Sequence, residues 1–293
     1  MNTEEIFFRA SSIGNLMTEG QGKVFTENMQ IELDNLYYEL ENGVNRNGNK
    51  VKWTDNKDLR LKDLVAKRDA PPELSPTAKS EVEKIWLLNE KGFFEDLENK
   101  YLSKGLLNEN EGLQLVGDVL GDFLIKNSER KYQNNVTGEA DAFSNATGKK
   151  IVIDIKCSWN AKTFMNNKLS SLYEYQLRTY MMLYDVEEAW LCYALTDTPD
   201  HLIEQEKKKL YYKYYSNSMT NEEIQLLDEK LQDLYKQVEM NMTYSNNPAY
   251  SKEEMVKIFK ITRDRDLELK LLEKVQMGLE YYKTIKLNQI KSE

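Results

Sequence analysis

The sequence predicts an α/β chain, a small set of strands flanked by helices, and three observations carry that expectation. Apolar residues recur at helical spacing from about residue 76 to 124, alternate as in strands between 135 and 159, and return to helical spacing from 171. Turn formers, Asn145 and Gly148, join the two alternating stretches. Further strand-like runs near 188 and 255 are set off by helical ones, and strands interleaved with helices in this way describe an α/β core.

In "RASSIGNLMT" Ser11 or Ser12 is the N-cap of a short helix, and residues 20 to 70 are polar, helical in places and without a strong period. "ELSPTAKSEVEKIWLLNEKGF" gives a helix over 76 to 91, with Ser75 as N-cap and Pro76 at the first helical position. Val82, Ile85 and Leu88 form its apolar side, and Gly92 is the stop. A second helix starts near Lys104 and carries Leu113, Val116, Leu120 and Leu124, with Glu109 in its first turns. "NNVTGEADAF" and "KKIVIDIKCSW" read as two strands of an antiparallel hairpin. "SSLYEYQLRTYMMLY" is a helix with Ser171 and Glu174 at capping-box spacing, and "EAWLCYAL" is a third strand. Two charged helices, about 201 to 216 and 221 to 242, fit a helical hairpin. A strand at "MVKIFKI" and a long helix from about 266 to 286 close the order, with no internal repeat.

With 293 residues and 40% hydrophobic content the chain can bury a substantial core. No run approaches the roughly 20 apolar residues of a bilayer span, and "MNTEEIFFRA" lacks the basic and apolar regions of a signal peptide, so no membrane partner and a cytoplasmic location are expected. Two cysteines, Cys157 and Cys192, cannot build a disulfide framework or a four-thiolate cluster, and they read as core fillers. His201 is the sole histidine, which argues against triad chemistry and a histidine-rich zinc site. A formal charge of −9 opposes indiscriminate nucleic-acid binding but allows a local basic groove, and a carboxylate-rich metal site would itself make the total negative.

The chemistry concentrates in "VIDIKCSW". Alternation along a strand puts Asp154 and Lys156 on one face within an apolar run. Desolvating both charges costs several kcal/mol unless something compensates. A structural ion pair at a sheet edge would do so. The upstream strand offers another compensation, because "GEADAF" places Glu139 and Asp141 on one face and a hairpin sets Asp141 beside Asp154. Two facing carboxylates repel unless they share a hard divalent cation. Glu109 and the backbone carbonyl of Ile155 would complete such a site, with Lys156 orienting or activating a metal-bound water or neutralising transition-state charge.

"GEADAF" followed by "VIDIKCS" resembles the paired motif of the PD-(D/E)xK nuclease superfamily. "YQLRTY" is similar to the glutamine–tyrosine helix motif of its RecB-like and phage-exonuclease members, and "KGLLNE" to the glycine-to-glutamate motif of lambda-exonuclease and YqaJ-type recombination nucleases. The resemblance covers about 104 to 195. It implies a restriction-endonuclease-like core, a small mixed sheet flanked by helices, over 104–293, with a helical insertion at about 200–250 and an N-terminal helical region, 1–103, packing on it. It implies Glu109, Asp141, Asp154 and the Ile155 carbonyl as ligands of Mg²⁺ or Mn²⁺, Lys156 as the catalytic lysine, and Gln176 and Tyr180 beside them, without an iron–sulfur cluster. The strand reads "GEAD" in place of Pro-Asp, which leaves Glu139 as a rival or auxiliary ligand. The implied activity is a DNA exonuclease trimming duplex ends for recombination or repair, with a single-strand annealing protein or a further copy of the chain as partners. An endonuclease, a single-strand-specific nuclease, or a catalytically silent DNA- or partner-binding module are the alternatives. Outside the shared core, "EQEKKKLYYKYY" interleaves lysines and tyrosines, and Lys207, Lys208, Lys209 and Tyr211 suit backbone contacts and base stacking. A solvated helix packing its tyrosines gives the same pattern.

Overall fold

A computed structural model describes residues 6–20, 25–93, 100–145 and 147–291. Residues 1–5, which open the stretch read for targeting, lie outside the described residues. The elements are β1 (Phe8–Arg9), α1 (Ile13–Leu16), α2 (Glu27–Asn42), α3 (Asp55–Asp69), α4 (Pro76–Lys91), α5 (Lys100–Leu107), α6 (Glu109–Leu120), β2 (Ile125–Lys126), β3 (Lys131–Gln133), β4 (Val136–Gly138), β5 (Ala142–Ser144), β6 (Ile151–Cys157), α7 (Ala161–Asn166), α8 (Ser171–Tyr184), β7 (Glu188–Ala194), α9 (Asp200–Tyr214), α10 (Asn221–Met240), β8 (Val256–Thr262) and α11 (Arg265–Lys291). No described helix is long and apolar enough to cross a membrane.

Two compact units emerge, Met1–Gly14 with Leu87–Leu272, and Asn15–Trp86 with Glu273–Glu293. The sequence reading divides the chain at residue 103 instead. In the second unit α2 and α3 bury Leu33, Leu36, Leu61 and Leu64 against Phe25, Met29 and Trp53. Thr26 and Thr54 cap these helices by accepting from Met29 N and Lys57 N, so the weak period of residues 20 to 70 conceals two regular helices. Ser75 accepts from Ala78 N at the head of α4, as its N-cap position predicts.

The first unit is built on a sheet of order β2-β5-β6-β7-β8, in which β6 and β7 run parallel and the other pairs antiparallel. Both faces are covered. Val152, Leu191 and Tyr193 pack with Leu177, Tyr180 and Met181 of α8. Ile151, Ile153, Ile155, Trp190 and Cys192 pack with Val116 of α6. Two-sided burial explains why β6 is apolar at successive positions, and each fully buried aliphatic side chain contributes about 2 kcal/mol. Helix α6 comes close because Gly112 has no Cβ, since one there would lie 2.9 Å from Cys157 Sγ and 3.2 Å from Ile155 Cγ2.

Three local expectations are corrected. "NNVTGEADAF" is not one strand. Its first part is β4, which joins β1 and β3 in a separate sheet, and its last part is β5 beside β6. The bend between them is held by Tyr184 and Asn127: Ala140 N donates to Tyr184 Oη, Asn127 Nδ2 to Ala140 O, and the backbone Asn127 N to Asp141 O. The helix expected from Lys104 is broken at Asn108 into α5 and α6. Finally, α8 is capped by Ser170, which accepts from Tyr173 N, rather than by Ser171.

The expected helical insertion is the α9 and α10 pair, and a capping box at Thr220 and Glu223 starts α10. Its two ends meet. The Asp197 carboxylate accepts from Tyr244 N, Ser245 N and Ser245 Oγ, and Thr198 N donates to Met242 O at 2.7 Å.

Candidate active site

Asp154 and Lys156 share the face of β6 that α8 covers, as strand alternation requires. Ala142 pairs with Ile153 and Phe143 with Val152, so continuing the register sets Asp141 opposite Asp154. There β5 stops, and the Asp141 carboxylate replaces the ladder by accepting from Ile155 N at 2.6 Å. A residue's N–H and C=O project to the same edge of a strand, so the Ile155 carbonyl faces the gap beyond the end of β5.

Asp154 is 1% exposed. Its Oδ1 accepts from Gln176 Nε2 at 3.1 Å, and the same nitrogen donates to Tyr180 Oη at 2.9 Å. Gln176 and Tyr180 are one turn apart on α8, both buried. Asp154 Oδ2 lies 2.8 Å from Lys156 Nζ, yet the ammonium is not aligned to donate a regular hydrogen bond, so this buried oxygen keeps acceptor capacity. The Lys156 ammonium also stands 5.5 Å from the Tyr173 ring centre.

The electrostatics follow from this crowding. Burial first, and then the neighbouring Asp154, raise the Asp141 carboxyl to about 7, against the pull of Lys156 and the Ile155 N–H. Burial alone would lower Lys156, but the two aspartates outweigh it and hold its pKa above the ordinary lysine value. The phenol of Tyr180 is pushed up, by burial and then by Asp154.

Glu109, the first residue of α6, is drawn to Lys126, with 2.9 Å between Oε1 and Nζ. Lys126 pairs with Ala142 on β2, next to Asp141 in the chain, and nothing in the sequence pattern marked it. Glu109 and Asp154 are therefore each held by a lysine of their own, Lys126 and Lys156. Among the described residues no group of three or more His, Cys, Asp or Glu side chains is gathered closely enough to hold a metal ion as it stands. What the strands do bring together is Asp141, Asp154 and Lys156. The oxygen donors there, with one buried carboxylate oxygen lacking a regular hydrogen bond, fit a hard divalent cation in chemistry.

The remaining candidates lie elsewhere. Glu139 sits in the bend and pairs with Arg130 at 3.2 Å. On α9, Lys207 is held between Glu204 and Glu239, and Lys209 pairs with Glu206, while Lys208 is exposed. Tyr211 stacks on Tyr215, with 5.2 Å between ring centres. His201 is exposed at the start of α9.

No family model matches the sequence, and no curated protein does. Among solved structures, the phage-related exonuclease from Haemophilus somnus 129PT superposes with a TM-score of 0.59 at 21% identity, over 97% of this chain and 96% of that one. The fold is that of this exonuclease. A second exonuclease of the same fold, the alkaline exonuclease LHK-Exo from Laribacter hongkongensis, superposes with a TM-score of 0.51 at 12% identity, over 98% and 93% of the two chains. This shared fold bears out the α/β core expected from the sequence.

Proposed function

We propose that the chain is a metal-dependent DNA nuclease that digests duplex DNA from its ends. The observation that supports this reading most is the meeting of Asp141, Asp154 and Lys156 where β5 ends, within an exonuclease fold. Asp141, Asp154 and the Ile155 carbonyl would hold Mg²⁺ or Mn²⁺, with Glu109 as the third carboxylate. Such a cation supplies Lewis acidity toward a phosphate oxygen and lowers the pKa of its water.

The chain's own residues then have separable tasks. Lys156, with its pKa held above that of an ordinary lysine, stays protonated at neutral pH. It therefore serves as a hydrogen-bond donor and positive charge toward an attacking water or the phosphate oxygens. Gln176 fixes Asp154 Oδ1, and Tyr180 accepts from Gln176, so both act as positioning residues.

The test is digestion of linear and closed-circular duplex DNA with Mg²⁺ and with chelator. Metal-dependent loss of linear DNA alone is the expected result. Nicked circles would make the chain an endonuclease, and intact DNA in both forms would leave a binding module.

A further inference from the structure

Lys104 is fully buried, at 0% exposure, and no carboxylate forms an ion pair with it among the described residues. Burying an ammonium without a counter-charge is expensive unless every donor is used. Here all three are engaged: Nζ donates to Thr196 O at 2.8 Å, Thr198 Oγ1 at 2.9 Å and Trp159 O at 3.1 Å. These acceptors stand just beyond the C-terminal ends of β6 and β7, where the parallel ladder gives out after Ser158 N donates to Ala194 O.

The same lysine is tied to the start of α6. Asn108 N donates to Lys104 O, and the buried Asn108 amide donates to Thr196 Oγ1 at 3.0 Å and to Asp197 O at 2.5 Å. The next residue is Glu109. The Lys104 ammonium thus grips the segments that follow β6 and β7, and one turn further on the Asn108 amide ties the start of the helix bearing Glu109 to the same Thr196–Asp197 segment. A hydrophobic residue would fill this space at lower desolvation cost, so packing does not explain an ammonium there.

We infer that Lys104 is a positioning residue that fixes the start of α6, and with it Glu109, relative to the strand that carries Asp154 and Lys156. The inference rests on the metal-dependent reading of that site. Lys104 itself touches neither substrate nor metal.

The test is calorimetric titration of Mn²⁺ into the full chain without DNA, well below the melting temperature. Lys104→Met keeps the length of the side chain and removes its donors, and an affinity at least 10-fold weaker is expected. Thr198→Val removes one acceptor at nearly constant shape and should weaken binding about threefold. Val186→Ala, a core truncation in the same unit, lowers stability and should leave Mn²⁺ affinity unchanged, which separates positioning from general loosening. Wild-type affinity in Thr198→Val, or in a folded Lys104→Met, overturns the inference alone. An equal loss in Val186→Ala also overturns it. A wild-type chain that neither binds Mn²⁺ nor cuts DNA removes the metal reading, and the inference falls with it.

Discussion

Asp154 and Lys156 are two residues apart on one strand, yet their surroundings assign them different work. The carboxylate is buried and fixed by Gln176, while the Lys156 side chain is 28% exposed. Asp154→Ala is therefore expected to abolish both Mn²⁺ binding and cleavage. Lys156→Ala should keep Mn²⁺ and DNA binding and lose turnover by about 10²-fold or more, the scale of one electrostatic or general acid–base contribution. Single-turnover cleavage beside equilibrium binding checks the pair, and wild-type turnover in Lys156→Ala would reduce it to a structural ion pair. Strand alternation made these two residues legible in the sequence, as it did Asp141 opposite them. Lys104 and Lys126 were not legible, because a lysine acquires its meaning from carbonyls and carboxylates brought in by distant segments, and no local period records them.

Among elements, those with their own punctuation were the readable ones. Helix α4 announces itself with Ser75, Pro76 and Gly92. The division of β4 from β5 was hidden, since the groups that satisfy the bend, Asn127 and Tyr184, are brought to it by the fold. Helix α9 shows the limit of composition. Its lysine run looks basic, but Lys207 and Lys209 are neutralised by Glu204, Glu239 and Glu206, leaving Lys208 exposed. If the hairpin follows the DNA backbone, Lys208→Glu should lower the slope of log affinity against log salt by about one. Lys207→Glu should instead lower the melting temperature, by setting three carboxylates together, and leave that slope unchanged. Binding isotherms at several salt concentrations, with thermal melts, distinguish the two outcomes. An unmoved slope in Lys208→Glu assigns the hairpin to another partner or to packing.

For the whole molecule the sum of charges is −9, and part of that excess lies at Asp141 and Asp154, two facing carboxylates with one ammonium, Lys156, beside them. A cation that binds the folded chain and not the unfolded one stabilises it by mass action, so Mg²⁺ or Mn²⁺ should raise the melting temperature and chelator should reverse the rise. In Asp141→Asn the rise should disappear, and its persistence would place the metal elsewhere. The fold is shared with two exonucleases at 12% and 21% identity, so most side chains can change while the fold is kept. The clasp formed by Asp197 and Thr198 with Met242, Tyr244 and Ser245 has a consequence for how such a chain can change. Because departure and return of residues 199–241 meet at one point, the sheet experiences that excursion as a short turn whatever its length. Closing a longer loop adds only about 0.6 kcal/mol per doubling. The hairpin is thus an interchangeable cartridge: lengthened, exchanged or lost, it alters what the chain can grip while β7 and β8 still find their register.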